Sequence, residues 1–438
     1  MPNVTFGGCR SSKLIGGIGY FYQILVNTTT TRACLCTMLI ERNTLGVQMS
    51  LMPERKMKRM HRRSYLFTII ALLIGAMLFE TSHGAELSEL TAIVNKIGIK
   101  GQGHSDARKA MAKLAQLEPD SAVAILTHFD SSNKLAVNWL RAAVDGILEN
   151  AVAEAQELPI TALVNFLHDR EQDANARRVA YEWIIEVEPQ RKSAILEKSL
   201  TDPSLEIRRE AVAFAMGSAS NLEETSTEKA LDKYRSTLVS ARDIDQIDSI
   251  TKSIERLGGT VDLPSHFGFL MNWHLIGPFD NSGKSGFNVA YGPENAIKLQ
   301  AAEEGKAGSV KWFEHSTEDP YGLVDLNSIM PEKYKGAIVY AYTTFDTDSE
   351  REVEIRLGCI NGNKVWVNGK LITSNHVYHA NTSIDQYIAK AKFRAGTNEI
   401  LVKVAQNEQE ESWAQRWQFQ LRICDQYGTA ILSKNRKE

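Results

Sequence analysis

Cysteine is scarce in this chain, and its distribution is lopsided. Three of the five cysteines, Cys9, Cys34 and Cys36, lie near the start, which leaves Cys359 and Cys424 for everything else. Two cysteines do not make a disulfide framework, although these two can pair in an oxidising compartment. Zinc-type Cys-x-x-Cys spacing, a Cys-x-x-Cys-His haem attachment, His-Glu-x-x-His and Gly-x-Ser-x-Gly are all missing. A long hydrophobic run is missing too. Tyr65 to Phe79 is largely apolar but covers only fifteen residues, short of the roughly 20 that span a bilayer. Nor is there a surplus of positive charge. Residues 1–85 hold ten Lys plus Arg and three Glu, so the formal charge of −3 becomes −10 for residues 86–438. Nucleic-acid binding draws most of its affinity from Lys and Arg on phosphates, so nucleic acid is a poor partner for this chain.

The short apolar run has a context. Lys58, Arg59, His61, Arg62 and Arg63 precede it, and Glu80-Thr81-Ser82-His83-Gly84-Ala85 succeeds it. Basic, apolar and small residues in that order predict a secretory signal peptide over 57–85 and a secreted or periplasmic protein. The alternative is an uncleaved segment that stays in the membrane. A signal peptide belongs at a chain's start, so residues 1–56 are expected to precede the true start, at Met57 or Met60.

From residue 86 to about 260 the apolar residues fall at helical spacing. Ala122, Ile125 and Leu126 mark one stripe; Val144, Ile147 and Leu148 a second; Val179, Trp183 and Ile184 a third. Aligning Arg-x-Ala-like segments places Arg108, Arg141, Arg178 and Arg209 at intervals of 33, 37 and 31 residues. Such periods belong to stacked helical hairpins. Asp202-Pro203 supplies a turn between helices. The segment from Asp202 to Ala215 resembles HEAT-type repeats through its Asp-Pro, Ile207-Arg208 and Ala211 pattern. That likeness implies an α-solenoid over 86–260, acting as a protein-binding scaffold or as a prop for the C-terminal domain. The repeat arginines are expected to pair within the solenoid.

Past Gly258-Gly259 the period changes to two. Val353, Ile355 and Leu357 alternate with Glu352, Glu354 and Arg356; Trp417, Phe419, Leu421 and Ile423 alternate with Gln418, Gln420 and Arg422. In Ile400, Val402 and Val404 the alternation is interrupted by Leu401. The pattern predicts an antiparallel β-sandwich of about eight strands over 262–438, with one solvated face per sheet. Asn368-Gly369 is a strong hairpin signal, because both residues tolerate the positive φ of a type I′ turn. Asn361-Gly362-Asn363 reads as a second tight turn. Trp366, between Val365 and Val367, reads as a packing anchor, as does Trp273.

Several stretches of this half resemble galactose-binding-like jelly-roll modules: Asn272-Trp273-His274-Leu275-Ile276-Gly277-Pro278-Phe279-Asp280-Asn281, Val365-Trp366-Val367-Asn368-Gly369-Lys370, and Ala395-Gly396-Thr397-Asn398-Glu399. The last two are similar to sugar-binding accessory domains of glycosidases. The resemblance implies a jelly roll that takes a glycan, with a structural calcium to which Asp280 would contribute, and no other cofactor.

Candidate catalytic motifs fail on chemistry. Gly277 and Gly283 are separated by five residues, where a phosphate-binding loop needs four. Three-residue spacing on a strand turns His376 and His379 to opposite faces, where they do not share a metal, and Glu303-Glu304 and Glu410-Glu411 read as solvated charge. What remains is aromatic. Sugar sites present flat rings beside hydrogen-bonding side chains. Trp413 in its polar stretch is the first candidate ring, with Arg416 beside it. Tyr378 is the second, with Asn375, His376 and Asn381. The expectation is a non-enzymatic extracytoplasmic protein whose partner is a glycan or a cell-surface protein. The alternatives are a purely structural protein and an accessory subunit of an extracytoplasmic enzyme complex.

Overall fold

The computed structural model describes residues 84–436 apart from Thr382. The expected signal segment over 57–85, except Gly84 and Ala85, and residues 1–56 lie outside them. Among the described residues no helix is long and apolar enough to cross a membrane.

The first half is helical. Helix α1 covers 84–94; α2 is His104–Leu114, α3 Ser121–Leu126, α4 Lys134–Ala153, α5 Ile160–His168 and α6 Ala174–Val187. Then come α7 (Lys192–Leu196), α8 (Leu205–Glu223), α9 (Thr227–Ser240), α10 (Ile244–Arg256) and α11 (Leu263–Phe267). Capping defines the starts: Asn133 accepts from Ala136 N–H ahead of α4, and Asp173 accepts from Asn175 and Ala176 N–H ahead of α6. The expected stripes are the buried ones, with Trp183 partly covered. Successive helices pack as hairpins. The even-numbered helices α2, α4, α6, α8 and α10 also touch in order, forming one row.

That row carries a ladder of ion pairs. Arg141 on α4 reaches Glu182 on α6 (2.5 Å), Arg178 on α6 holds Glu182 (2.7 Å) and approaches Glu206 on α8 (3.6 Å), and Arg209 on α8 takes Asp245 on α10 (2.6 Å). Beneath it lies a fully buried lock. Arg177 grips Asp202 with both terminal nitrogens (2.7 and 2.6 Å), and Arg208 donates to the Asp202 carbonyl (2.8 Å).

The second half is built of strands. They are β1 (Asn272–Asp280), β2 (Ala302–Gly305), β3 (Gly308–Lys311), β4 (Phe313–Ser316), β5 (Val324–Asp325) and β6 (Ala337–Thr347). After them come β7 (Arg351–Cys359), β8 (Gly362–Val367), β9 (Lys370–Asn375), β10 (Tyr387–Phe393), β11 (Gly396–Gln406) and β12 (Gln418–Cys424). One antiparallel sheet has the order β4-β1-β6-β11-β8-β9, a second β10-β7-β12-β5, and β2-β3 forms a separate hairpin. Val339, Val365, Val367, Val402 and Val404 from the first sheet share a core with Val353, Ile355, Leu357, Phe419 and Leu421 from the second. Trp273 meets Phe419 edge-on within that core, at 5.1 Å.

Four expectations need correction. The sheets hold ten strands, not about eight, because the short β4 and β5 add to them. Neither outer face is simply solvated. Residues 281–312 fold over the larger sheet and bury Tyr340, Trp366 and Leu401 with Phe279 and Phe287, so Leu401 is no flaw in a polar face. Trp366 is an anchor, but on this outer layer. Gln420 and Arg422 on β12 are also buried, and the helical half reaches Arg422, whose guanidinium donates to the Phe267 carbonyl. Phe267 and Phe269 share an apolar cluster with Val212, Tyr234, Leu238, Ile247 and Ile250.

The Asn368-Gly369 turn is as expected, with φ of 50° and 76° joining β8 to β9. Asn361-Gly362 is different. It links β7 to β8, which belong to different sheets, so it carries the chain across the core. Cys359 and Cys424 are free and buried. Cys424 lies opposite Glu354 on β7, five residues along from Cys359, or roughly 16 Å at strand rise. A disulfide needs Cα atoms within about 7 Å, so the two do not pair.

Candidate functional site

One end of the six-stranded sheet collects unusual polarity. There β1 ends at Asp280, β6 begins opposite it at Ala337, β11 ends at Gln406, and β8 begins at Gly362. Asn281, Asn361, Asn363, Gln406 and Asn407 sit at these strand ends, all buried. Buried amides have to be bonded, and most of these are. Asn281 Nδ2 donates to Gln406 O (2.9 Å) and the Tyr378 hydroxyl (3.1 Å). Asn363 Nδ2 donates to Asn361 O (2.9 Å), and Asn375 Nδ2 to Asn363 Oδ1 (2.9 Å). Asn361 Nδ2 reaches Arg416 O (3.1 Å), while Ile360 O accepts from Ala380 N–H (3.1 Å). The crossover from Ile360 to Asn363 thus ties down the end of β9 and the two loops that hold the candidate residues. Asn281 Oδ1, both side-chain polar atoms of Gln406, and His379 Nδ1 have no partner among the described residues.

The candidates divide into two groups around this polar floor. Trp413 is 58% exposed, and its ring and the His379 ring stand nearly perpendicular, with centroids 5.1 Å apart. His379 Nε2 bonds Asn407 Oδ1 (2.8 Å). Around Tyr378 the picture is more packed. His376 stacks flat on Phe287 (centroids 4.1 Å, planes 8° apart) and meets Tyr378 edge-on at 5.4 Å. Lys284 Nζ lies 5.3 Å from the Tyr378 ring centroid, and Lys364 Nζ 4.7 Å from that of Phe287. Partial burial, then the charges of Lys284 and Lys364, hold the His376 imidazole below its ordinary pKa. Burial lifts the Tyr378 phenol above its own.

Asn375 serves the amide network, Asn381 is exposed, and Arg416 is engaged here through its carbonyl. His376 and His379 come after the end of β9, and neither belongs to a cluster of three metal-ligating side chains among the described residues. The calcium implied at Asp280 does not fit. Its Oδ1 accepts from the Lys306 ammonium (2.8 Å) and the Ser282 hydroxyl (2.7 Å), so a protein cation already faces it. Sequence reasoning missed Asn281, Phe287, Lys284, Lys364, Gln406 and Asn407. Buried amides at strand ends point to Asn281, Gln406 and Asn407, and that signal appears once the strands are paired.

The class defined by this architecture is a helical N-terminal region followed by a domain of antiparallel sheets. No family model matches the chain, and no curated protein matches it. Solved structures give partial likenesses. An anti-sigma factor domain-containing protein has a TM-score of 0.24 at 14% identity, over 38% of this chain and 47% of that one. A β-glucuronidase from an uncultured Clostridium sp. has a TM-score of 0.23 at 15% identity, over 36% and 29%. A β-glucosidase from Kluyveromyces marxianus has a TM-score of 0.23 at 9% identity, over 71% and 38%. This chain therefore spans about half the length of the first and less of the other two. At these TM-scores the likenesses define no activity.

Proposed function

We propose that this chain is an extracytoplasmic binding protein without a catalytic centre of its own. In this reading the helical rows are a HEAT-like solenoid that serves as a protein-binding scaffold. The sheets form a galactose-binding-like jelly roll whose loop end takes a glycan. The observation that carries it is Trp413, an exposed indole set beside the His379 imidazole and above a floor of buried amides. A flat exposed ring stacks on the apolar face of a pyranose, and neighbouring amides and imidazole nitrogens bond its hydroxyls. The signal-like segment over 57–85 supports export.

Affinity electrophoresis of the full chain against a panel of polysaccharides tests the binding reading. Retardation by at least one polymer, lost in Trp413→Ala, is the expected result; free migration through every gel overturns it. A second reading, an interaction protein with no sugar ligand, is favoured by one observation. Tyr378 is half-buried with its hydroxyl engaged by Asn281, and one face of the exposed His376 ring is covered by Phe287.

A further inference from the structure

The glycan reading leaves the charge around Phe287 unexplained. Residues 86–438 are acidic overall, with a formal charge of −10, yet this corner of the sheet is locally positive. Lys364 on β8 and Lys403 on β11 stand directly opposite each other, and like charges in that register repel. One carboxylate serves the pair. Glu294 holds Lys403 at 2.8 Å, and Lys403 also donates to the Phe287 and Val289 carbonyls (3.0 and 2.8 Å). That buried ammonium is satisfied; Lys364 has no share in Glu294. Lys284 likewise has no carboxylate within ion-pair distance among the described residues, and Glu408 is held by the Gly283 N–H. Both free ammonium groups instead lie against aromatic rings, beside His376. Aromatic faces orient such groups but do not neutralise them.

We propose that Lys284, Lys364 and His376, grouped round Phe287 and Tyr378, bind the carboxylate or sulfate of an acidic glycan. This deepens the glycan reading and rests on it. The anion completes the neutralisation that Glu294 leaves half done, while the neighbouring amides and Trp413 address the uncharged parts of the polymer.

The test is affinity electrophoresis of the full chain in four gels: polygalacturonate, its fully methyl-esterified form, dextran sulfate and dextran. Each charged polymer is matched by a neutral one, and the two charged polymers separate uronate from sulfate. The expected result is retardation by a charged polymer and none by its neutral partner. Lys284→Gln with Lys364→Gln should weaken it by about tenfold or more, as expected for charge-assisted contacts. Lys390→Gln with Lys392→Gln, on exposed β10, removes the same net charge elsewhere and should leave binding unchanged. Near-UV circular dichroism checks folding, and Lys284→Gln alone stands in where the double variant is misfolded.

Equal retardation by charged and neutral polymers overturns the anion proposal and leaves the glycan reading standing. Equal weakening by the β10 control also overturns it, because the attraction is then general. No retardation by either charged polymer overturns it as well, and the wider panel of neutral polysaccharides then judges the glycan reading separately.

Discussion

Two acids clamped by arginine solve the same problem in the two halves of the molecule, and they solve it differently. Asp202, at the turn into α8, is gripped by Arg177 and supports Ser204 N–H (2.8 Å). Both partners of that pair are almost wholly enclosed, at 2% and 3% exposed. Asp385, in the loop before β10, takes Arg422 Nε (2.6 Å) and Arg356 (2.8 Å) and keeps some contact with solvent. Arg422 goes on to the Phe267 carbonyl (3.1 Å), so Asp385 ties the smaller sheet to the helical half. Asp202 staples neighbours inside one stack. Inside the closed stack Arg177 would keep only the Leu167 carbonyl (2.9 Å), whereas the pair at the seam has water and a second carboxylate, Glu354.

That contrast sets the order of expected effects. Asp202→Ala strands Arg177 in the helical core and should cost about 3–5 kcal/mol in urea unfolding. Asp385→Ala should cost less, about 1–3 kcal/mol, since Arg356 retains Glu354 (2.7 Å) and Arg422 retains two carbonyls. Equal costs for the two would erase the distinction.

The seam also has an acid limb. Burial works against the Asp385 carboxylate, but Arg422 and then Arg356 bring it below its ordinary pKa. Its contribution is therefore present above about pH 4 and lost as pH falls below that. His266, near the same seam, is pushed down to about 4 by burial and then by Arg242 and Arg422. An imidazole that resists its proton in the folded state destabilises that state once the unfolded chain takes one up. Stability should therefore fall between about pH 6.5 and 4, by on the order of 1–3 kcal/mol, and His266→Gln should flatten that slope in urea midpoints measured across the range. The smallest effect belongs to the loop end. Trp413→Ala should change the unfolding free energy by under about 0.5 kcal/mol, and any loss of ligand retention in that variant is then a loss of binding, not of fold.

The difference between the halves also explains what could be read from sequence. Helical stripes and the Asn368-Gly369 turn are local, set within a few residues, and both are legible. The arginine period finds Arg178 but not Arg177. One residue turns a helix by about 100°, enough to separate a half-exposed ladder member from the buried lock. In the sheets the partners are remote. Lys403 finds Glu294 across 109 residues, Arg422 finds Asp385 across 37, and Asn281 finds the Gln406 carbonyl across 125. No alternation pattern carries that information, so it assigns to solvent polar positions that the fold covers. Of the candidate site, Trp413 is legible because its neighbours in sequence are polar. The amide floor is not, because it exists only when several strand ends meet.

The cluster shared by Phe267, Phe269 and the last helical pair has a consequence for how the chain is made. Helices α9 and α10 are complete when synthesis reaches Arg256, and Phe267 and Phe269 follow at once, but Tyr321 and Ile384, which pack on the same cluster, come much later. Arg242 waits still longer for the Thr429 hydroxyl, 187 residues downstream. At typical translation speeds that interval is about 10–40 s. Throughout it Arg242 lacks that partner, and for much of it the cluster of Tyr234, Leu238 and Ile250 lacks the cover that Tyr321 and Ile384 add.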